Sequence, residues 1–209
     1  MANCVVKTLS GFWPVPGNPK PSYQQGHLKM LKTDQVDLFL SEDNLPWKQL
    51  PSQRLLTQKH TETELYLKFG RPVTPEVVNR ITPILTSKIL LLKHLAEVYP
   101  DADYYQWIDC VNTENLDIIS QTESDRIICN QYQGDRWQRQ NQILYGDVKN
   151  PYDTWLLAQV VKVPRHRLEP LCDAYSDAIQ WVNHRYPVTD AEFPLARVYD
   201  LYPDWFELI

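Results

Sequence analysis

Residues 87–110 read SKILLLKHLAEVYPDADYYQWIDC, and this stretch decides the fold. Ile89, Leu90, Leu92, Leu95, Ala96 and Tyr99 recur at helical spacing and make one wide apolar face, as for a helix laid on a sheet. Thr86 is placed to cap a helix over 87–98, since its hydroxyl accepts an amide that the first turn leaves unpaired. Pro100 stops that helix, because a proline disfavours helical backbone in the residue before it. After a polar turn, the aromatic run YYQWI predicts a strand over 104–108. The strand ends in one carboxylate, Asp109. In open α/β sheets, ligands bind in the crevice outside the carboxyl ends of the strands. Asp109 is therefore the first candidate for metal or substrate chemistry.

Similar elements extend both ways. Strands are expected at 4–9 (CVVKTL), 36–40 (VDLFL), 126–130 (RIICN) and 154–163. Helices are expected at 23–31, 167–186 and 191–201, with a short helix or turn at 112–116. Residues 45–54 look irregular, and 64–69 suit a short strand or helix. The segment SGFWPVPGNPKPS carries four prolines and reads as a loop. A second loop, polar and aromatic, spans 134–153 and is expected to be mobile or to face substrate. Short apolar strands alternating with helical patterns predict an α/β fold, a mixed sheet flanked by helices, in one domain over 1–209.

Composition narrows the function. A chain of 209 residues suits one substantial core. Only 6 glycines against 16 prolines argue against a glycine-rich phosphate loop. A net charge of -5 gives no global basic footprint for nucleic acid. No apolar run reaches the roughly 20 residues of a membrane span, and the N-terminus lacks a signal-peptide pattern. The 4 cysteines are widely spaced without a Cys-x-x-Cys pair, so buried free thiols and a cytoplasmic location are expected. No nucleophile elbow, P-loop or zincin motif occurs.

The order of the pieces resembles a GT-A-type nucleotide-sugar glycosyltransferase, and more narrowly the HtrL/YibB-like glycosyltransferase-like family. The resembling segments are VVKTLSGFW with the 23–31 helix and VDLFLSED, then SKILLLKHLAEVYPDADYYQWIDC, then YPVTDAEFPLARVYDLYPDWFELI. TWLLAQVVKVPRHRLEPL stands where the family has its acceptor-side strand and helix. The resemblance implies a nucleotide diphosphate-sugar donor and an acceptor hydroxyl on a glycan, a protein or a modified DNA base. It also implies Mn2+ or Mg2+ held by Asp109, because a hard cation neutralises a departing diphosphate. Lys88 would reach a phosphate as a point charge. Thr8 and Ser10 would end the first strand where the donor nucleotide enters. The usual Asp-X-Asp is incomplete: Asp109-Cys110-Val111-Asn112 has no second acid, though Asn112 offers a neutral oxygen. That departure keeps a non-catalytic nucleotide-sugar or protein-binding domain open.

Each candidate also has a structural reading. Asp109 would cap the following turn, and Lys88 would be a solvated surface lysine. Asp190 and Glu192 are candidate catalytic bases toward the acceptor. Thr189 with Glu192 equally reads as a capping box, although Pro194 suits a start at Asp190 or later. Trp13, Trp107 and Trp137 are candidate stacking faces for sugar or base, with Tyr104, Tyr105 and Trp155 nearby in sequence. Strand aromatics more often build core. Lys162, Arg165, His166 and Arg167, with Arg136 and Arg139, form a basic cluster for donor phosphates or for DNA, as in phage-type enzymes that glycosylate hydroxylated bases. The same cluster also reads as a solvated face.

Overall fold

A computed structural model describes residues 4–12, 36–41, 86–109, 116–131, 156–183 and 191–209. The expected helix at 23–31, the segments at 45–54 and 64–69, and the loop at 134–153 lie outside these residues. The described elements are β1 (Val6–Phe12), β2 (Leu38–Ser41), α1 (Lys88–Val98), β3 (Tyr104–Asp109), α2 (Leu116–Gln121) and β4 (Ile127–Gln131). They continue with β5 (Leu156–Pro164), α3 (Arg165–Asn183), α4 (Glu192–Leu201), a 3-10 turn (Pro203–Trp205) and β6 (Phe206–Leu208). The six strands make one mixed sheet in the order β2-β1-β3-β5-β4-β6. β1 is parallel to both β2 and β3, whereas β5 is antiparallel to β3 and β4. The chain is an α/β protein with helices flanking a mixed sheet, as its pattern predicts.

The main core lies on the face covered by α1, α3 and α4, with Tyr105, Trp107, Val161 and Val163 beneath them. Ile108, Ile119, Ile128 and Val160 form a smaller cluster on the other side, with Val36 and Ile209 against it. A register irregularity between Cys129 and Asn130 shifts the alternation along β5. A shift of one residue reverses which side chains face the core. Leu156 and Ala158 thereby join the same cluster as Val161 and Val163, despite the odd spacing between the two pairs.

α1 is more deeply enclosed than its one-sided pattern suggests. Leu91 is fully buried along with Ile89, Leu92 and Leu95, because α3 packs on α1 while β3 lies beneath it. Each such leucine contributes about 2 kcal/mol by leaving water. Ser87, not Thr86, occupies the cap position, and no side-chain cap hydrogen bond forms there. The helix gives way at Tyr99, ahead of Pro100.

β6 was not expected from the sequence. It pairs in parallel with β4, and Gln131 and Ile209 extend the pairing by donating to Ile209 O and Cys129 O. A three-residue strand shows no alternation long enough to read, so only its distant partner identifies it.

Lys162 corrects the basic-cluster reading. It is fully buried in β5, and its ammonium donates to the carbonyls of Ser120 at 3.0 Å and Thr122 at 2.7 Å, lying 4.4 Å from the Tyr104 ring. It satisfies carbonyls at the end of α2 that the helix itself cannot pair. Burial lowers its pKa. Lys162→Met is expected to lower unfolding free energy by about 2 kcal/mol, the cost of orphaning buried acceptors. Urea denaturation at neutral pH measures this, and an unchanged midpoint would contradict the role.

Candidate functional site

Chain connectivity brings the end of β3 and the start of α1 together. α1 leads through a short turn into β3, so the helix and strand run in opposite directions. Eleven helical residues span about 16 Å and six strand residues about 20 Å, so the first turn of α1 lies over the last residue of β3. Side chains two apart on a strand share a face. Trp107 and Asp109 therefore both point toward α1, and Lys88 at its start meets them.

The resulting contacts are short. Lys88 Nζ lies 2.8 Å from Asp109 Oδ2 and 2.8 Å from Oδ1. Trp107 Nε1 donates to Asp109 Oδ1 at 2.7 Å. The ammonium is also 5.8 Å from the centre of the Trp107 ring, within cation–π range. The lysine side chain is 7% exposed and the carboxylate 20%. Asp109 thus keeps some access to solvent, while its cation is enclosed.

Sheet order places this carboxylate at a switch point. From β1 the chain goes to β2 on one side and to β3 on the other, and Gly11 of β1 pairs with Asp109. Strand order reversing between two parallel neighbours is where open sheets take ligands. A glycine opposite the acid leaves no Cβ to fill the approach.

The other expected residues are placed as follows. Thr8 and Ser10 are buried within β1, and the Ser10 hydroxyl donates to Ile108 O at 2.7 Å. Ser10 therefore ties β1 to β3 and is not an exposed end-of-strand contact. Trp107 is fully buried, its ring packed in the core, and its indole N–H donates to Asp109. Lys88 is likewise no solvated lysine, being paired with the acid. Tyr104 and Tyr105 have structural hydroxyl partners, Ser124 O and Tyr99 O. Glu192 is half-buried in the first turn of α4, which begins after Ala191. The capping box starting at Thr189 is therefore not the observed register. Pro194 falls at the third helical position, where its missing N–H costs no intrahelical bond. Trp13, Asn112, Trp137, Trp155, Arg136, Arg139 and Asp190 lie outside the described residues.

Sequence reading passed over Gln159. The antiparallel register ends at Ile108 paired with Val160, and Gln159 is the next residue along β5. Its amide oxygen is buried without a hydrogen-bond partner. A glutamine in a strand carries no motif.

The described residues alone do not make up a divalent-cation site. A hard cation wants several oxygen ligands, two of them commonly carboxylates. Among the described residues no group of three or more His, Cys, Asp or Glu comes together. Both oxygens of Asp109 already contact the Lys88 ammonium.

No family model and no curated protein matches the chain. Among solved structures it is similar to a glycosyltransferase involved in the glycosylation of the major capsid of PBCV-1, at 12% identity and a TM-score of 0.44. That alignment covers 98% of this chain and 81% of the other. At that score the likeness carries no argument, and the fold rests on the chain's own strand order. No helix among the described residues is long and apolar enough to cross a membrane.

Proposed function

We propose that the chain is a glycosyltransferase that moves a sugar from a nucleotide diphosphate-sugar donor to an acceptor hydroxyl. The observation carrying this reading is Asp109, a partly exposed carboxylate at the switch point of a mixed sheet, held by Lys88 and Trp107. An acid oriented by two donors is a pre-organised acceptor for ligand hydroxyls. In the transfer, the acceptor oxygen bonds to the anomeric carbon while the bond from that carbon to the diphosphate oxygen breaks. The diphosphate leaves with the electron pair, and the acceptor proton passes to a carboxylate base. Glu192, half-buried at the start of α4, is the described candidate for that base, with Asp190 as the other.

A thermal-shift screen of nucleoside diphosphates and sugar nucleotides tests the reading, followed by donor turnover on any hit. A ligand selective for the native state raises the melting temperature. Stabilisation by one donor class, lost in Asp109→Asn, is expected. A folded protein that neither binds nor turns over any sugar nucleotide refutes the proposal. A non-catalytic donor-binding domain is the second reading, favoured by the incomplete Asp-X-Asp, which here reads Asp109-Cys110-Val111-Asn112. Binding without turnover would select it.

A further inference from the structure

We propose that the start of α3 and the turn before β6 bind a nucleotide unit, its base stacked on Tyr202 and its phosphate held by Arg167 and Arg165. This site is separate from the one at Asp109. Arg165 N donates to Asp103 O at 2.8 Å, beside the first residue of β3, whereas Asp109 is the last residue of that strand. Six strand steps put the two ends about 20 Å apart. The run Arg165-His166-Arg167 therefore lies at the far end of the strand, and donor phosphates beside Asp109 are out of its reach.

Arg167 is a positioned cation with no anion. Its guanidinium carbon lies 5.7 Å from the centre of the Trp205 ring, within cation–π range, and its Nε is buried without a hydrogen-bond partner. Among the described residues Arg167 has no ion pair, and the acid two residues on, Glu169, is taken by Lys93. Asp204, exposed in the turn, pairs with neither arginine. Trp205 in turn stacks on Tyr202, with ring centres 4.2 Å apart and planes 11° from parallel, and Tyr202 is 40% exposed. An aromatic stack beside unanswered guanidinium charge fits a ligand planar at one end and anionic at the other. Any base offers a π-face to Tyr202, and a phosphate accepts from a guanidinium in bidentate geometry. A neutral sugar would leave the arginines unanswered, and an acidic peptide would leave the stack unused.

Fluorescence anisotropy of a short labelled oligothymidylate at low salt tests the site. The net charge of -5 provides no diffuse attraction, so binding has to come from a local contact. Wild type is expected to bind, Tyr202→Ala to weaken binding about tenfold, and Tyr202→Phe to restore it. Arg167→Gln is expected to weaken it about tenfold as well and to lower the salt slope by about 0.7, the share of one phosphate contact on a single strand. An abasic strand of the same length is expected to respond to Arg167→Gln and not to Tyr202→Ala. Thymidine monophosphate competing as well as the oligomer would make a free nucleotide the ligand, and competition by the oligomer alone would make it a single strand.

A folded wild type that binds neither probe overturns the proposal. So does binding that polyglutamate displaces equally well, since the base would then contribute nothing. Asp109→Asn is expected to leave this binding unchanged, and Tyr202→Ala to leave sugar-nucleotide binding unchanged. Oligomer binding lost in Asp109→Asn and kept in Tyr202→Ala would put the nucleotide in the donor site and refute the second one. The Tyr202 and Arg167 comparisons stand even where Asp109→Asn folds poorly, and they stand whether or not any sugar nucleotide binds.

Discussion

Asp109→Leu is expected to destabilise the fold by about 3 kcal/mol, and Lys88→Met by a similar amount. The reason is asymmetry. Breaking an enclosed ion pair leaves one charge out of water without its partner, which costs far more than the pair itself contributes. Lys88 is 7% exposed, so water cannot readily replace the carboxylate. Asp109 is 20% exposed, and loss of its cation is partly relieved by hydration, so its partner's removal lies at the lower end. The double variant Lys88→Met/Asp109→Leu is expected to return to within about 1 kcal/mol of wild type, because two apolar side chains carry no desolvation penalty. Urea denaturation of the four proteins gives a coupling energy of roughly 5 kcal/mol if the pair acts as a unit. Additive losses would show that the 2.8 Å contact contributes nothing beyond its two separate side chains. Donor binding should separate from stability in this set: the double variant regains the fold and not the ligand.

How far this pair was readable follows from chain geometry. The helix over 87–98 and the strand ending at Asp109 were legible, because periodicity switches from helical to extended within one short segment. Their meeting was readable in principle, since a helix and strand of matched length joined by a tight turn must bring their far ends together. The burial of Trp107 was legible from its place two residues before Asp109, on the side that the helix covers. Lys162 was grouped with Arg165, His166 and Arg167 by closeness in sequence. Its apolar neighbours in VVKVP were the better clue, since a cation within a buried strand needs carbonyl partners. β6 was beyond reach, because it is defined by pairing with residues distant in sequence, and no local pattern encodes a register.

Lys88, Trp107 and Ser10 together show how the fold places one acid. Ser10 ties β1 to β3 at Ile108 O, the residue before Asp109. The indole fixes one carboxylate oxygen, and the ammonium meets both. The carboxylate is therefore held from its strand, from the neighbouring strand and from the helix above. A side chain held in this way spends little of a ligand's binding energy on ordering itself.

Alkaline pH is expected to unfold the protein early, with stability beginning to fall near pH 9. Cys129 and Cys172 are buried free thiols, and Cys172 contacts Ile89 O through its sulfur at 3.7 Å. Burial pushes both pKa values up, that of Cys172 to about 12. In the unfolded chain each thiol ionises at about 8.5 to 9. Above that pH the unfolded state sheds protons that the folded state keeps, so it gains stability relative to the native fold. The thiols' contribution is complete below about pH 9 and is lost progressively as pH rises toward the folded values. Each unit of pH in that window costs about 1.4 kcal/mol per thiol, so the two together remove about 3 kcal/mol by pH 10. That is a large share of the 5–15 kcal/mol typical of a domain. Lys162 opposes the trend. Its lowered pKa means the folded state releases that proton first, and stability gains as pH rises between its folded and unfolded values. One partly compensating lysine does not offset two buried thiols, and Tyr104 and Tyr105, raised chiefly by burial, add to the fall above about pH 10. Urea midpoints measured from pH 7 to 10.5 should decline from about pH 9, and Cys129→Ala/Cys172→Ala should flatten the decline while lowering the neutral-pH value. A wild-type profile level through pH 10, or an identical slope in the double variant, would show that the thiols do not control alkaline stability.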